Sequence, residues 1–272
     1  MTDEQEPLSS GPGAESSAPP GEPRAPDVAA AVSATEPEPY PFWGYSDLLL
    51  FAGLTVPCMV LGWALVKAGF ALFGFHSGRP VVELLPAQLL GYAFLFAVLR
   101  AILRMQYDRP FWSSLAWTRS RVPFLWTVIG GLATAVAVAF VAYLIQIPTV
   151  SNPMTDIMMR DSLSLVLMAV FGILVAPLSE ELAFRGFLQP LVVRSLGPVA
   201  GVLVAAVPFG LLHYREYGNS WRHAVLIALA GVAFGWMRQA TGSTRASTIM
   251  HASYNGLIFF VVLAQGRGVP HT

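Results

Sequence analysis

The sequence predicts an all-α, polytopic transmembrane helical bundle of about seven spans behind a disordered N-terminal tail. Three observations lead there. Of the 272 residues, 55% are hydrophobic and only 12% charged, with a mean hydropathy of +0.59, whereas soluble domains carry about a quarter charged residues. Seven apolar stretches recur after Tyr45, at lengths near the ~20 residues that cross a hydrocarbon core about 30 Å thick. Loop-forming residues punctuate them: Gly78 and Pro80, Arg109 and Pro110, Asn152 and Pro153, Gly197 and Pro198, Gly218 and Asn219.

Residues 1–40 are rich in Pro, Ala, Glu and Ser and hold eight acids against one base, Arg24. They lack the apolar content to offset ordering entropy, so a disordered, solubilising tail is expected. A basic stretch followed by an apolar one is missing from this start, which therefore does not resemble a cleaved secretory signal. The first span is then the expected anchor.

The apolar stretches run over 45–70, 81–103, 123–147, 163–187, 196–213, 222–238 and 246–264. The sixth is the weakest, with 14 uncharged residues between His223 and Arg238. Residues 151–162, SNPMTDIMMRDS, read equally as a short interfacial helix or a loop. The expected organisation is a tail (1–40), N-terminal membrane helices (41–162), a C-terminal core (163–264) and a short C-terminal tail (265–272).

Outside the N-terminal tail there are eight acids and fifteen bases. Arg100, Arg104, Arg109, Arg119 and Arg121 gather between the second and third stretches and favour the cytoplasmic side for that end, and for the tail with it. Ten bases then lie inside against six outside. Bases scattered between apolar runs exclude a nucleic-acid partner. The expected partner is the lipid bilayer, and the expected location a bacterial inner membrane. Cys58, the single cysteine, permits neither an intrachain disulfide nor a Cys-based metal site.

Chemistry enters in the fourth stretch, where Glu180 and Glu181 follow a long uncharged run. Even the mildest scales charge about 2.5 kcal/mol or more for an acid at a helix centre in the membrane, so such groups face a partner or a polar cavity. Arg185, four residues after Glu181, lies on the same helix face and offers it an ion pair. Glu180 is turned about 100° away and stays free to act. Pro177 removes a backbone hydrogen bond just before the pair. The bland alternative exposes both acids to headgroups at the end of the span.

Two further stretches carry polar stations: Phe209 and His213 four apart in FGLLH, and His251 and Asn255 four apart in HASYN. A lone histidine on an apolar helix is usually a packing residue. Two carboxylates, two imidazoles and a carboxamide on three spans supply what hydrolysis needs: a base for water, donors for an oxyanion, a proton for the leaving amine. Glu180, His213 and His251 also make a plausible ligand set for a divalent metal such as zinc, with water as the fourth ligand. Residue chemistry leaves both readings open. His76, His223 and His271 fall in loops or at the terminus and are expected to have no catalytic role. Gly231 and Gly235 suit close helix packing.

EELAFR (180–185), FGLLH (209–213) and HASYN (251–255), in this order on successive spans, resemble the motifs of the CAAX protease and bacteriocin-processing (CPBP, or Abi) intramembrane proteases, type II CAAX prenyl endopeptidase-like, over about residues 165–258. The resemblance implies cleavage of a peptide bond in a membrane-associated protein or peptide, in eukaryotic relatives after a prenylated cysteine. It implies that Glu180 activates the water with help from His251, that His213 and Asn255 hold the oxyanion, and that Glu181 paired with Arg185 orients the helix. Such enzymes are described both as metalloproteases and as metal-free glutamate proteases; Asn255, a poor zinc ligand and a good oxyanion donor, favours the second. The competing expectations are an ion- or proton-coupled transporter and a non-catalytic scaffold or immunity protein that keeps the family fold.

Overall fold

A computed structural model describes residues 39–148, 150 and 153–264. The expected tails, apart from Pro39 and Tyr40, lie outside the described residues. The chain forms α1 (Tyr45–Leu72), α2 (Pro80–Tyr107), α3 (Phe111–Ser114), α4 (Phe124–Leu144), α5 (Pro153–Met158), α6 (Ser162–Val170), α7 (Ala176–Glu181), α8 (Gln189–Leu196), α9 (Pro198–Leu212), α10 (Trp221–Thr241) and α11 (Thr244–Val262). Two π-helical stretches, Phe171–Val175 and Leu182–Leu188, weld α6, α7 and α8 into one 35-residue helix, Ser162–Leu196. No strand occurs among the described residues.

All seven apolar stretches are helical. Among the described residues five helices are long and apolar enough to cross a membrane: α1, α2, α4, Ser162–Leu196 and α10. The other two depart from a plain span for different reasons. α9 is short, with 15 residues, and α11, with 19, spends positions on Arg245, His251 and Asn255. The ambiguous segment at 151–162 contains α5, a helix of six residues.

Local signals set the boundaries. α2 stops where Asp108 turns left-handed (φ 52°), and α10 where Gly242 does the same (φ 66°). The long helix starts at Asp161, whose carboxylate accepts from the backbone N–H groups of Leu163 and Ser164. Those Ser164 bonds, together with Arg79 3.3 Å away, hold the Asp161 carboxyl below the usual carboxylate range.

Packing pairs α1 with α2, α9 with α10, and α4 with α11. Gly131 of α4 lies so close to α11 that a Cβ there would collide with the Met250 carbonyl oxygen and the Ser253 side chain. This close approach fixes the helix that carries His251.

The helix ends sort into two groups, as alternating spans require. At one end, Thr244 Oγ1 donates to Leu115 O (2.6 Å), Arg238 Nε donates to Thr244 Oγ1 (3.1 Å), and Tyr45 hydrogen-bonds Ser195 (2.8 Å). The segment ahead of α1 is sewn into this end. Arg194 donates to the carbonyls of Pro41 and Trp43, and Arg238 Nη2 to the Tyr40 hydroxyl. Trp43 is fully buried, stacks on Phe187 (5.2 Å, 24°) and donates Nε1–H to Phe187 O at 3.1 Å. Trp43→Ala is therefore expected to destabilise the fold by about 3–5 kcal/mol, the usual cost of emptying a large buried aromatic site, read as a lowered unfolding temperature in detergent.

Candidate active site

Pro177 and Pro190 each sit two residues after a π-helical stretch. In an α-helix a proline ring strikes the carbonyl four residues earlier; widening the preceding turn moves that carbonyl away. The widening has a consequence for the site. Ala176 N–H bonds Phe171 O rather than Gly172 O, and Pro177, one residue further, has no N–H to offer. Gly172 O is thus released from the helix, and it accepts from Asn255 Nδ2 at 2.7 Å. Pro177 opens the ladder, and the exposed carbonyl anchors Asn255 of α11.

Between the π stretches, α7 presents the two glutamates. Glu181 is fully buried, and its Oε1 receives Arg185 Nη1 at 2.8 Å. Arg185, 2% exposed, also donates Nη2–H to Gly231 O at 2.7 Å and lies over the Phe209 ring at 4.2 Å. A Cβ on Gly231 would fall 2.8 Å from Phe209 and 3.2 Å from that guanidinium, so glycine is required for α10 to come this near. Gly235 O similarly accepts from Gln189 Nε2 at 2.9 Å.

The same Glu181 oxygen lies 3.0 Å from His251 Nδ1. A carboxylate paired with arginine only accepts, so Nδ1 carries the hydrogen, and Nε2 is the ring atom turned toward Glu180. That Nε2 is 3.8 Å from Glu180 Oε2, beyond direct hydrogen bonding, while a single water can touch both atoms. Stacking on Phe234 (4.4 Å, 19°) and an edge contact with Phe209 (5.7 Å, 76°) lock the imidazole. The order Arg185–Glu181–His251–Glu180 thus runs from a buried ion pair to a partly accessible carboxylate.

His213 caps α9, and its Nδ1 lies 3.0 Å from Phe209 O. A carbonyl accepts, so Nδ1 donates there and Nε2 remains for other partners. Glu180, His213, His251 and Asn255 line one cavity of about 260 Å³, room for several waters at about 30 Å³ each. Its other walls include Gln88 and Tyr92 of α2, Met154 and Met158 of α5, and Tyr254 of α11. The six residues singled out in the sequence gather here, four on the cavity and Glu181 with Arg185 directly behind it. His223 stacks on Tyr217 (5.1 Å, 15°) and is not among the cavity-lining residues.

Residues 162–257 match the model of a protein family described as type II CAAX prenyl endopeptidase Rce1-like. The chain carries an Rce1-like core. No curated protein and no solved structure matches the chain. That family is one of CAAX-type membrane proteases, whose substrates are peptides or proteins, and the five helices long and apolar enough to cross a membrane suit a multi-pass integral membrane protein. All three motifs fall inside the Rce1-like segment. Gln88, Tyr92 and Met154, which close the cavity, fall before it, and no sequence signal marked them: they sit in or beside stretches that read as membrane span and loop.

Among the described residues no three His, Cys, Asp or Glu side chains form a group that can hold an ion. Glu180, His213 and His251 share the cavity without forming such a group, and each histidine holds Nδ1 on an oxygen, which leaves Nε2 facing other partners.

Proposed function

We propose that this site hydrolyses a peptide bond in a membrane-associated protein or peptide, with water activated by Glu180 rather than by a metal. The observation that carries the reading is the 3.8 Å spacing of Glu180 Oε2 and His251 Nε2 in the cavity, with His251 fixed from behind by Glu181. Water between them donates one hydrogen to each acceptor and directs its lone pair outward. As the oxygen attacks the scissile carbonyl carbon, Glu180 takes its proton. The negative charge that develops on the carbonyl oxygen is met by the second Nδ2–H of Asn255, the first being spent on Gly172 O. Glu180 then passes its proton to the leaving nitrogen as the C–N bond breaks. His213 joins the oxyanion donors only as an imidazolium, because its one neutral N–H is held by Phe209 O.

The likeness of residues 162–257 to that family supports one substrate class, a CAAX-type C-terminal segment presented at the membrane, or a bacterial peptide that takes its place. A purified, reconstituted protein is tested with a quenched-fluorescent farnesylated CAAX peptide in ¹⁸O-water. One ¹⁸O in the new carboxylate is expected, with cleavage persisting after treatment with EDTA and phenanthroline. Activity lost to chelators and restored by zinc overturns the metal-free reading.

A further inference from the structure

Two polar side chains of α2 reach the cavity without belonging to any motif. Gln88 and Tyr92 are one helical turn apart and line the same space as Glu180, His213, His251 and Asn255. Gln88 Nε2 donates to the Tyr92 hydroxyl oxygen at 3.1 Å. That oxygen is used as an acceptor, so the phenolic hydrogen is available to donate elsewhere. On the other side of the amide, Gln88 Oε1 is buried and has no hydrogen-bond partner among the described residues. An acceptor left in that state costs about 1–3 kcal/mol, and an apolar residue at this position of a membrane helix would avoid the cost.

The neighbours of this pair tie it to the reacting centre. The Tyr92 ring stacks on Phe171 (6.3 Å, 11°), and the next residue, Gly172, anchors Asn255. The pair therefore stands beside the helical turn that positions the amide assigned to the oxyanion. One side chain offers an acceptor and the next a donor. An extended peptide presents the N–H and C=O of one residue on the same side, as a strand does to its neighbour.

We propose that Gln88 and Tyr92 form a clamp for the substrate main chain, the Gln88 amide turning about its soft terminal torsion so that Oε1, closed off before substrate enters, accepts a peptide N–H while the Tyr92 hydroxyl donates to a peptide carbonyl. The clamp rests on the reading of this cavity as a peptide-hydrolysing site. It breaks no bond, so its loss falls on KM rather than on kcat. It recognises an extended backbone, whatever the side chains.

The test uses the reconstituted full chain and the quenched-fluorescent farnesylated CAAX peptide. Tyr92→Phe keeps the ring on Phe171, and Gln88→Met keeps the length of the side chain. Each is expected to raise KM about 3- to 10-fold, the loss of one hydrogen bond, with the effect on kcat within about twofold. Replacing the amide that Gln88 reads by an ester should weaken the parent protein by the same factor and the Gln88→Met protein no further. Unchanged KM in both variants, or losses confined to kcat, overturns the clamp. Anisotropy of the labelled peptide on the same proteins separates the two claims. Weaker binding by Tyr92→Phe without cleavage by the parent upholds the clamp and removes the hydrolytic reading. Equal binding, or none by any form, overturns the clamp itself.

Discussion

Glu180→Gln is expected to leave the protein folded while lowering peptide cleavage by about 10²- to 10⁴-fold, the range over which a positioned general base acts. The two halves of that statement have separate causes. Glu180 has a side chain 21% exposed and faces the cavity, so no buried charge or packed methylene is lost when its carboxylate becomes an amide. The amide cannot take a proton from water, so the reaction loses its base. Single-turnover cleavage and the unfolding temperature, measured on the same preparation, check both halves. Cleavage at the parent rate would exclude Glu180 as the base.

Arg185 is expected to show the opposite pattern, with stability lost first. Arg185→Met strands a fully buried carboxylate, because Glu181 loses the guanidinium that pairs with it. Breaking a buried pair from one side costs about 3–5 kcal/mol, a large share of a typical folding free energy. Arg185→Lys should not rescue it: one ammonium on a flexible stem does not reproduce the planar fork that serves Glu181 and Gly231 O together and lies on Phe209. Neutralising both partners, Glu181→Gln with Arg185→Met, should recover much of the stability and none of the activity, since the amide no longer holds His251 in the required tautomer. Unfolding temperatures across the three variants check the order. A double variant less stable than Arg185→Met would contradict it.

The contrast between the two glutamates was partly legible in the sequence. Spacing alone put Arg185 one turn below Glu181 and turned Glu180 away, and helical periodicity needs nothing else to be read. The apolar runs likewise mark every long helix, because hydrocarbon tolerates few alternatives to an internally hydrogen-bonded backbone. Other features depend on tertiary placement. Glu181 and His251 are 70 residues apart, and each has a plausible bland role until the helices are packed. The release of Gly172 O needs both the proline and the choice of a widened turn over a kink. Trp43, next to a tail of low apolar content, gave no sign that it would be buried against Phe187. Gln88 and Tyr92 lie in a stretch whose average hydropathy conceals them. The site also makes its own carrier harder to read: α11 is too polar to count as a span because it bears His251 and Asn255.

The central claim is that Glu180 and His251, from different helices, act on one water molecule. Single-turnover rates for Glu180→Gln, His251→Ala and the double variant test it directly. Groups that share one water lose it together, so the double variant should be no slower than the slower single variant, within about threefold. Losses that multiply, with the double variant slower by the product of the two single effects, would mean that the two side chains work independently and that the shared water does not exist.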